Sequence, residues 1–371
     1  MAWPTVIIKI LNLKNGPIAG VEYHFLFVGY GKTSGDVRNL LVVDASTDLT
    51  EALKDAGTSL TTTVTAAQLN GGSEWTAGVM ILNESDNWQD AVRKANETSS
   101  FEAFVLDFPA TDKSLLESAI AMRTELKNKL ARETFAICCL PEINNSAKDG
   151  EDWATWLAKT VAIPKGVASE YITVVPRVHA DGSTLGKYCG RLANQVDASI
   201  ADSPARVQTG SVVGSTDLLT DKDGKALELS VLKTLESNRL AVPMWYPDYP
   251  GQFWTTGNTL DAPGGDFQDI RHIRVAMKAA RRVRIRAISR IGDRKFNSTP
   301  QSEARAKLYF TKDLREMALT GVPGEIYPPD DDDIEIKWVN STDVELYLKV
   351  RPYECPVKIT VAIYISEGET S

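Results

Sequence analysis

The chain has 371 residues, of which 43% are hydrophobic and 24% charged, and its formal net charge is −8. This length fits two or three domains, and the negative charge argues against non-specific nucleic-acid binding by the chain as a whole. Its apolar runs, such as residues 135–140, are too short to cross a bilayer, and its four cysteines form no C-x-x-C pair, which predicts reduced thiols in a cytoplasm.

Residues 1–19 stand apart from the rest of the chain and are predicted to form an N-terminal arm. Residues 6–13 (VIIKILNL) have the composition of a strand, and the Lys-Asn-Gly-Pro sequence at 14–17 ends it. An apolar strand at a terminus needs a sheet to join. On the pattern alone, that sheet lies either in the same chain or in a neighbouring subunit, by strand addition.

Residues 20–195 are predicted to form an α/β domain, because short apolar runs alternate there with longer amphipathic stretches. The predicted strands are residues 21–29, 40–44, 78–82, 103–107, 134–140 and 171–176, and the predicted helices are residues 49–70, 88–96, 112–131 and 152–160. Strands that are apolar on both faces and separated by helices indicate a mostly parallel sheet that is covered on both sides.

The remainder of the chain divides into a connector and a second domain. Residues 196–239 are rich in small polar residues and are predicted to be irregular. Residues 240–371 are predicted to form an α+β domain, with helices at 269–291 and 300–320 and strands at 334–339, 344–351 and 357–365. The last of these strands is predicted to be part of an extended C-terminal arm.

Motifs for catalysis or cofactor binding are weak. Residues 29–33 (GYGKT) follow a strand and look like a phosphate loop, but Leu26 stands where that motif needs its first glycine. The three histidines, His24, His179 and His272, have no metal-ligand spacing, and no G-x-S-x-G sequence frames a serine. We therefore expect no catalytic residue, no metal and no cofactor, and keep an α/β enzyme, with or without a nucleotide as substrate, as the alternative class.

Two segments concentrate charge of one sign, which indicates opposite charges nearby or exposure to solvent. Residues 330–333 are four consecutive aspartates, which indicates a solvated loop or a basic partner across a subunit boundary. Residues 271–291 carry eight cations and no acidic residue, with apolar residues at helical spacing. This basic helix either pairs with acidic loops of its own chain or meets an acidic protein partner.

The order of motifs in the C-terminal half resembles that of contractile phage tail sheath proteins. Trp254 and GNTL at 257–260 precede GGDF at 264–267, and AARR at 279–282 precedes NSTP at 297–300. DIEI at 333–336, NSTD at 340–343 and RPYECP at 351–356 complete the series. In the N-terminal half, LFVG at 26–29 and AQLNGG at 67–72 before Trp75 are similar to a compact subgroup of the same family.

This resemblance implies a structural subunit of the virion tail, assembled in the cytoplasm of a bacterial host. Another tail component, such as a tube or baseplate protein, stays open as an alternative, although the α/β half counts against a tube protein. It implies a helical homo-oligomer, with hexameric rings around a tail tube, and contacts with baseplate and tail terminator proteins, but none with membrane or nucleic acid. It also implies that the terminal arms exchange strands with neighbouring subunits. The residues expected to take part are Val6, Ile8, Ile10, Leu13, Val357, Ile359, Val361 and Ile363.

The resemblance also implies that the C-terminal domain faces the tube while the α/β domain lies outside. We expect basic residues of one of the two predicted C-terminal helices to face an acidic tube surface. The candidates are Arg305, Lys307, Lys312 and Arg315 on the second helix, or Lys278, Arg281 and Arg282 on the first. The second helix is favoured, because the first has the stripe of a deeply packed helix.

Overall fold

The computed structural model describes residues 20–32 and 40–363. A six-stranded sheet forms the centre of the N-terminal half. Its strands are β1 (Phe25–Tyr30), β2 (Leu41–Asp44), β3 (Thr76–Leu82), β4 (Ala103–Pro109), β5 (Phe135–Leu140) and β6 (Ile172–Pro176), in the order β2-β3-β1-β4-β5-β6. All pairs are parallel except β2 with β3. The predicted mostly parallel sheet is confirmed.

Helices cover both faces of this sheet, so its central strands are buried on both sides. They are α1 (Leu49–Ala52), α2 (Thr58–Asn70), α3 (Trp88–Thr98), α4 (Lys113–Leu130), α5 (Trp153–Ala162) and α6 (Thr184–Ala193). The helix predicted at 49–70 is in fact two helices. The break is at Gly57, which packs so closely on β1 that a Cβ there would lie 2.7 Å from the Tyr30 carbonyl oxygen.

The segment predicted as an irregular connector contains a helix, α7 (Leu229–Ser237). Its Leu232 and Leu235 are buried in the core of the α/β domain. The chain then runs beside β6, where the Ala241 amide donates to the Val174 carbonyl. An antiparallel hairpin of β7 (Pro243–Tyr246) and β8 (Tyr249–Trp254) follows. Burial of these leucines explains why the segment folds onto the domain.

The C-terminal half consists of two long helices and a hairpin, and this confirms the predicted α+β character. The elements are α8 (Ile270–Ile288), α9 (Pro300–Ala318), β9 (Ile334–Trp338) and β10 (Val344–Leu348). Helix α8 contributes to two cores. Ile273 and Met277 pack against the α/β domain, whereas Val275 and Val283 pack with α9 and the hairpin.

Residues 349–363 form neither helix nor strand in the isolated chain. The strand predicted at 357–365 therefore has no partner among the described residues of its own chain, up to residue 363. None of the helices in residues 20–32 and 40–363 combines the length and the apolar character needed to cross a membrane.

Candidate functional site

The junction between α8 and the α/β domain contains a buried ion pair. Arg274, which is 2% exposed, donates through Nε and Nη2 to the two carboxylate oxygens of Glu102 at 2.7 and 2.9 Å. Glu102, the residue just before β4, is fully buried and also accepts a hydrogen bond from the Tyr23 amide at 2.6 Å. Burial alone would lower the pKa of Arg274, but the Glu102 carboxylate raises it above its ordinary value.

Two further ion pairs lie along the same face of α8, one within the C-terminal half and one to the α/β domain. Lys278 Nζ lies 2.5 Å from Glu325 Oε1, and Arg281 Nη2 lies 2.8 Å from Glu22 Oε1. Arg281 also donates to the Glu133 carbonyl at 3.0 Å. Burial would raise the pKa of Glu22, but the Arg281 guanidinium holds it below its ordinary value. Arg274 and Arg281 thus tie α8 to the α/β domain, whereas Lys278 ties it to the segment after α9.

This arrangement supports the first of the two interpretations of the basic helix, in which it pairs with acidic groups of its own chain. Lys278 and Arg281, two of the candidate tube-facing residues, are buried behind carboxylates. Arg282 is one-third exposed and lies 3.9 Å from Glu316 on α9. The sequence did not reveal the three partners, Glu22, Glu102 and Glu325, because they come from segments distant in the chain.

The other candidate tube-facing residues lie on α9, which has a basic outer surface. Arg305, Lys312 and Arg315 are exposed, and Lys307 is half-buried. Lys312 is 3.9 Å from Glu316, and the other three form no ion pair with any residue of the described chain. The opposite face of α9 buries Phe310, Leu314 and Met317. The exposed cations therefore form a patch that is available to an acidic partner.

The C-terminal strand-exchange candidates are exposed in the isolated chain. Val357, Ile359, Val361 and Ile363 are 65, 77, 74 and 85% exposed, respectively. They occupy alternate positions, so in an extended strand all four would lie on one face. The N-terminal candidates Val6, Ile8, Ile10 and Leu13 lie outside the described residues.

The hairpin of β9 and β10 is a two-stranded sheet with both outer edges open in the described part of the chain. Ile336, Leu346 and Leu348 on its inner face pack against the α9 core, and they alternate with Glu335, Lys337, Glu345 and Tyr347. A sheet of two strands is marginally stable alone and usually needs additional strands or a covering helix. This hairpin is covered by helix α9, and no further strand pairs with it in residues 20–32 and 40–363.

The run of aspartates is partly ordered by the chain itself. Residues Asp331–Asp333 form one turn of 3₁₀ helix, and Arg351 Nη2 lies 2.6 Å from Asp330 Oδ2 and 2.7 Å from Asp333 Oδ2. Asp331 and Asp332 remain exposed. The prediction of a solvated loop thus fits only the middle of the run.

The features that looked like enzyme motifs have structural roles in the fold. The Gly31 and Lys32 amides donate to the Leu82 and Asp55 carbonyls, so they are not free to bind phosphate. His179 is enclosed by Thr184 and Gln252. Within the described residues, no three His, Cys, Asp or Glu side chains group as metal ligands would.

The crevice where the strand order reverses, a frequent ligand site in open α/β sheets, is filled by the protein itself. Helix α2 packs directly over Gly29, at which a Cβ would lie 3.0 Å from Leu60 Cδ1. Asp107, at the end of β4, accepts hydrogen bonds from Thr63 Oγ1 at 2.6 Å and Arg177 Nη2 at 3.1 Å. Burial raises the pKa of Asp107, although Arg177 opposes this effect.

Comparison with known proteins identifies the family. Two family models match the chain, the DUF2586 N-terminal domain at residues 3–258 and the DUF2586 C-terminal domain at residues 266–367. A protein of Haemophilus phage HP1 that is named as a tail sheath protein is 41% identical over 373 residues, which cover 98% of each chain. The chain belongs to the phage tail sheath proteins. It is thus a structural component of the virion tail and not an enzyme.

Solved structures of tail sheath proteins and related particles share the fold. A chain of the anti-feeding prophage baseplate aligns with a TM-score of 0.62 at 11% identity, covering 99% of this chain and 100% of that chain. The contracted helical sheath of the same particle gives 0.58 at 12% identity, with 98% and 99% covered. A sheath tail protein from Listeria innocua gives 0.57 at 10% identity, with 91% and 93% covered.

Proposed function

We propose that this chain polymerises into a helical sheath of hexameric rings around a tail tube. Rearrangement of the sheath lattice then drives the tube through the host envelope. The observation that carries the proposal is the pairing of an incomplete hairpin sheet with an exposed apolar arm in the same molecule. The likeness to chains of a contracted sheath and of a baseplate supports the same assembly, with baseplate and tail terminator proteins at its ends.

Subunits are linked by strand exchange in this proposal. The arm that contains Val357, Ile359, Val361 and Ile363 adds to the β9–β10 hairpin of a neighbour, and the N-terminal arm that contains Val6, Ile8, Ile10 and Leu13 adds to another. Backbone hydrogen bonds hold each arm, and its apolar side chains contact the neighbour's core. The exposure of the alternate apolar residues favours this linkage over a purely intrachain role.

Proline substitution tests this linkage in the full-length chain. Thr360→Pro/Val361→Pro removes adjacent backbone donors, one toward each edge of an added strand. We expect a chain that unfolds at the wild-type temperature but forms no helical polymers in negative-stain images. The control, Thr360→Ala/Val361→Ala, keeps both donors and should polymerise. Deletion of residues 1–14 should likewise give a folded chain that does not polymerise. Normal polymers from the proline variant would contradict strand exchange.

The tube contact is assigned to α9 in this proposal. Its basic surface of Arg305, Lys307, Lys312 and Arg315 would face an acidic tube. Exposed charge pairs are worth about 0–1 kcal/mol each, so several of them can position a sheath and still release it. Lys278 and Arg281 are less suitable, because intrachain carboxylates already neutralise them.

Charge reversal tests the tube contact. Arg305→Glu/Arg315→Glu should reduce co-sedimentation with tube protein, and added salt should weaken the wild-type complex. The control is Lys113→Glu/Lys129→Glu on α4, which changes the net charge by the same amount at two lysines whose side chains are 62 and 68% exposed. Tube binding that is insensitive to both salt and reversal at α9 would refute this assignment.

Contraction in this proposal needs no cofactor, since its energy comes from a metastable extended lattice that relaxes to a more extensively bonded one. The α/β domain would move as a rigid unit between two sets of neighbours. Structures of the extended and contracted sheath should superpose over residues 20–195 with an unchanged sheet. Internal rearrangement of that sheet, or a nucleotide requirement for contraction, would contradict the mechanism.

A further inference from the structure

The start of the C-terminal arm is held by contacts from two other parts of the chain. Arg271, on the first turn of α8, donates through Nη1 to the Tyr353 carbonyl at 2.6 Å and to Cys355 Sγ at 3.1 Å. Tyr327 stacks on Tyr353 with ring centroids 3.9 Å apart and donates from Oη to Glu354 Oε2 at 2.8 Å. We call these five residues the root clamp.

The root clamp ends abruptly at Pro356. Residues 351–355 are partly buried or hydrogen-bonded, and the Tyr327 amide donates to the Arg351 carbonyl at 2.8 Å. By contrast, residues 357–363 are all exposed and form no hydrogen bond or ion pair with the rest of the described chain. At the Cys355–Pro356 bond, the chain thus changes from a segment held by intrachain contacts to one that forms no hydrogen bond with the rest of the described chain. Proline fixes its own φ and restricts the residue before it, which limits the directions in which the arm can leave.

We propose that the root clamp is a positioning site for subunit linkage, which directs the C-terminal arm toward the hairpin of a neighbouring copy. The proposal rests on the strand exchange proposed above. A flexible arm loses conformational entropy when it binds, and fixing its root lowers that loss and so favours linkage. Seven extended residues span about 23 Å, so the direction set at the root decides which neighbour the arm can reach.

The clamp also connects the arm to the rest of the subunit. Arg271 precedes Arg274 by one turn on α8, and Arg274 is the residue that holds Glu102 of the α/β domain. Asp269, the N-cap of α8, orients the Arg271 guanidinium through Nε at 3.0 Å. A displacement of the α/β domain is therefore passed through a single helix to the root of the arm, and the arm itself can stay bound to its neighbour.

Tyr327→Ala tests the clamp. It removes the ring stack and the Glu354 hydrogen bond, and it keeps Arg271. Tyr327 is 36% exposed, so the chain is expected to fold. Two proteases report the local effect. Glu-C cleavage after Glu354 should become at least about fivefold faster, since protected sites are cut from the opened state. Trypsin cleavage after Lys358, which is already exposed, should not change.

The same variant should raise the protein concentration needed for polymerisation about fivefold or more. Tyr327→Phe keeps the stack and should restore both readouts toward wild type. Tyr30→Ala removes a tyrosine that is 38% exposed at the end of β1 in the α/β domain, and serves as the matched control. Tyr353→Ala removes the other ring of the pair and should have the same effects on cleavage and polymerisation as Tyr327→Ala. Agreement between the two variants would show that the effects do not come from a folding defect at one site.

The outcomes separate this proposal from the one on which it rests. If Thr360→Pro/Val361→Pro polymerises normally, strand exchange is refuted and the clamp has no linkage to direct. If that variant fails to polymerise, while Tyr327→Ala opens the Glu354 site and still polymerises at the wild-type concentration, strand exchange stands and the clamp proposal is overturned. Faster Glu-C cleavage together with weaker polymerisation supports both.

Discussion

Replacing Glu102 with glutamine tests how strongly α8 holds the α/β domain. Glutamine has nearly the same shape and can still accept the hydrogen bond from the Tyr23 amide. It cannot neutralise Arg274, whose guanidinium stays charged at any ordinary pH. The substitution therefore leaves one uncompensated charge at a site where both side chains are at least 97% buried.

The structure sets the size of the expected effect. Removal of one partner of a buried ion pair costs about 3–5 kcal/mol, because the remaining charge is neither solvated nor paired. In a domain of 150–250 residues, 1 kcal/mol lowers the unfolding temperature by about 2–4 °C. We therefore expect Glu102→Gln to unfold roughly 6–20 °C below wild type, as followed by circular dichroism.

Two control variants make the unfolding temperature of Glu102→Gln interpretable. Glu117→Gln breaks the Lys113–Glu117 pair, whose side chains are 62 and 52% exposed, and should change the midpoint little. Glu102→Met/Arg274→Met removes both charges and should recover much of the loss, since apolar replacement of a buried pair is often close to neutral. If Glu102→Gln unfolds with the same midpoint as Glu117→Gln, the pair is not buried as described and α8 does not tie the halves together.

Two other perturbations have defined outcomes. A Cβ at Gly186 would lie 2.0 Å from the Thr63 carbonyl oxygen, so Gly186→Ala must separate α6 from α2. The free energy of unfolding, measured with denaturant, should fall by about 1–3 kcal/mol. An unchanged unfolding midpoint would show that the two helices are not in contact. Burial lowers the pKa of His24 and of His179 to about 4, against about 6.5 in an unfolded chain. Between pH 6.5 and 4 the unfolded chain therefore binds more protons than the folded chain, so the free energy of unfolding falls as the pH is lowered through that window. This fall should be smaller in His179→Gln. An equal fall would show that His179 titrates normally.

The sequence predicted the sheet well because its central strands are buried on both faces. All six residues of β5 are buried, and such a run differs clearly from the amphipathic helices on either side. It predicted less well where tertiary contacts decide the local structure. Helix α6 was missed because it is buried at every position and contains Gly186 and Gly190, which disfavour helix in isolation. Both glycines are required by close packing on α2.

The candidate site was predictable only in part for a similar reason. The basic character of α8 is visible in the sequence, but its partners are not, since Glu22 and Arg281 are 259 residues apart in the chain. Which charged side chains are buried depends on the fold, and no local sequence pattern predicts it. The alternation at Val357, Ile359, Val361 and Ile363 predicted a strand, but the isolated chain forms none at residues 357–363 and leaves these side chains exposed. Strand exchange with a neighbour is the proposal that would account for this pattern.

The distribution of contacts within the subunit bears on how a sheath can contract. Pairs such as Arg274–Glu102 are buried inside the chain, where breaking them costs several kcal/mol. The cations of α9 are exposed, and contacts made through them would be individually weak. A lattice that changes neighbours must break contacts between subunits before those within them. Glu102→Gln should therefore destabilise the free chain and the polymer alike, whereas Tyr327→Ala should weaken polymers without lowering the unfolding temperature of the free chain. Loss of polymers without any loss of chain stability in Glu102→Gln would reverse this assignment.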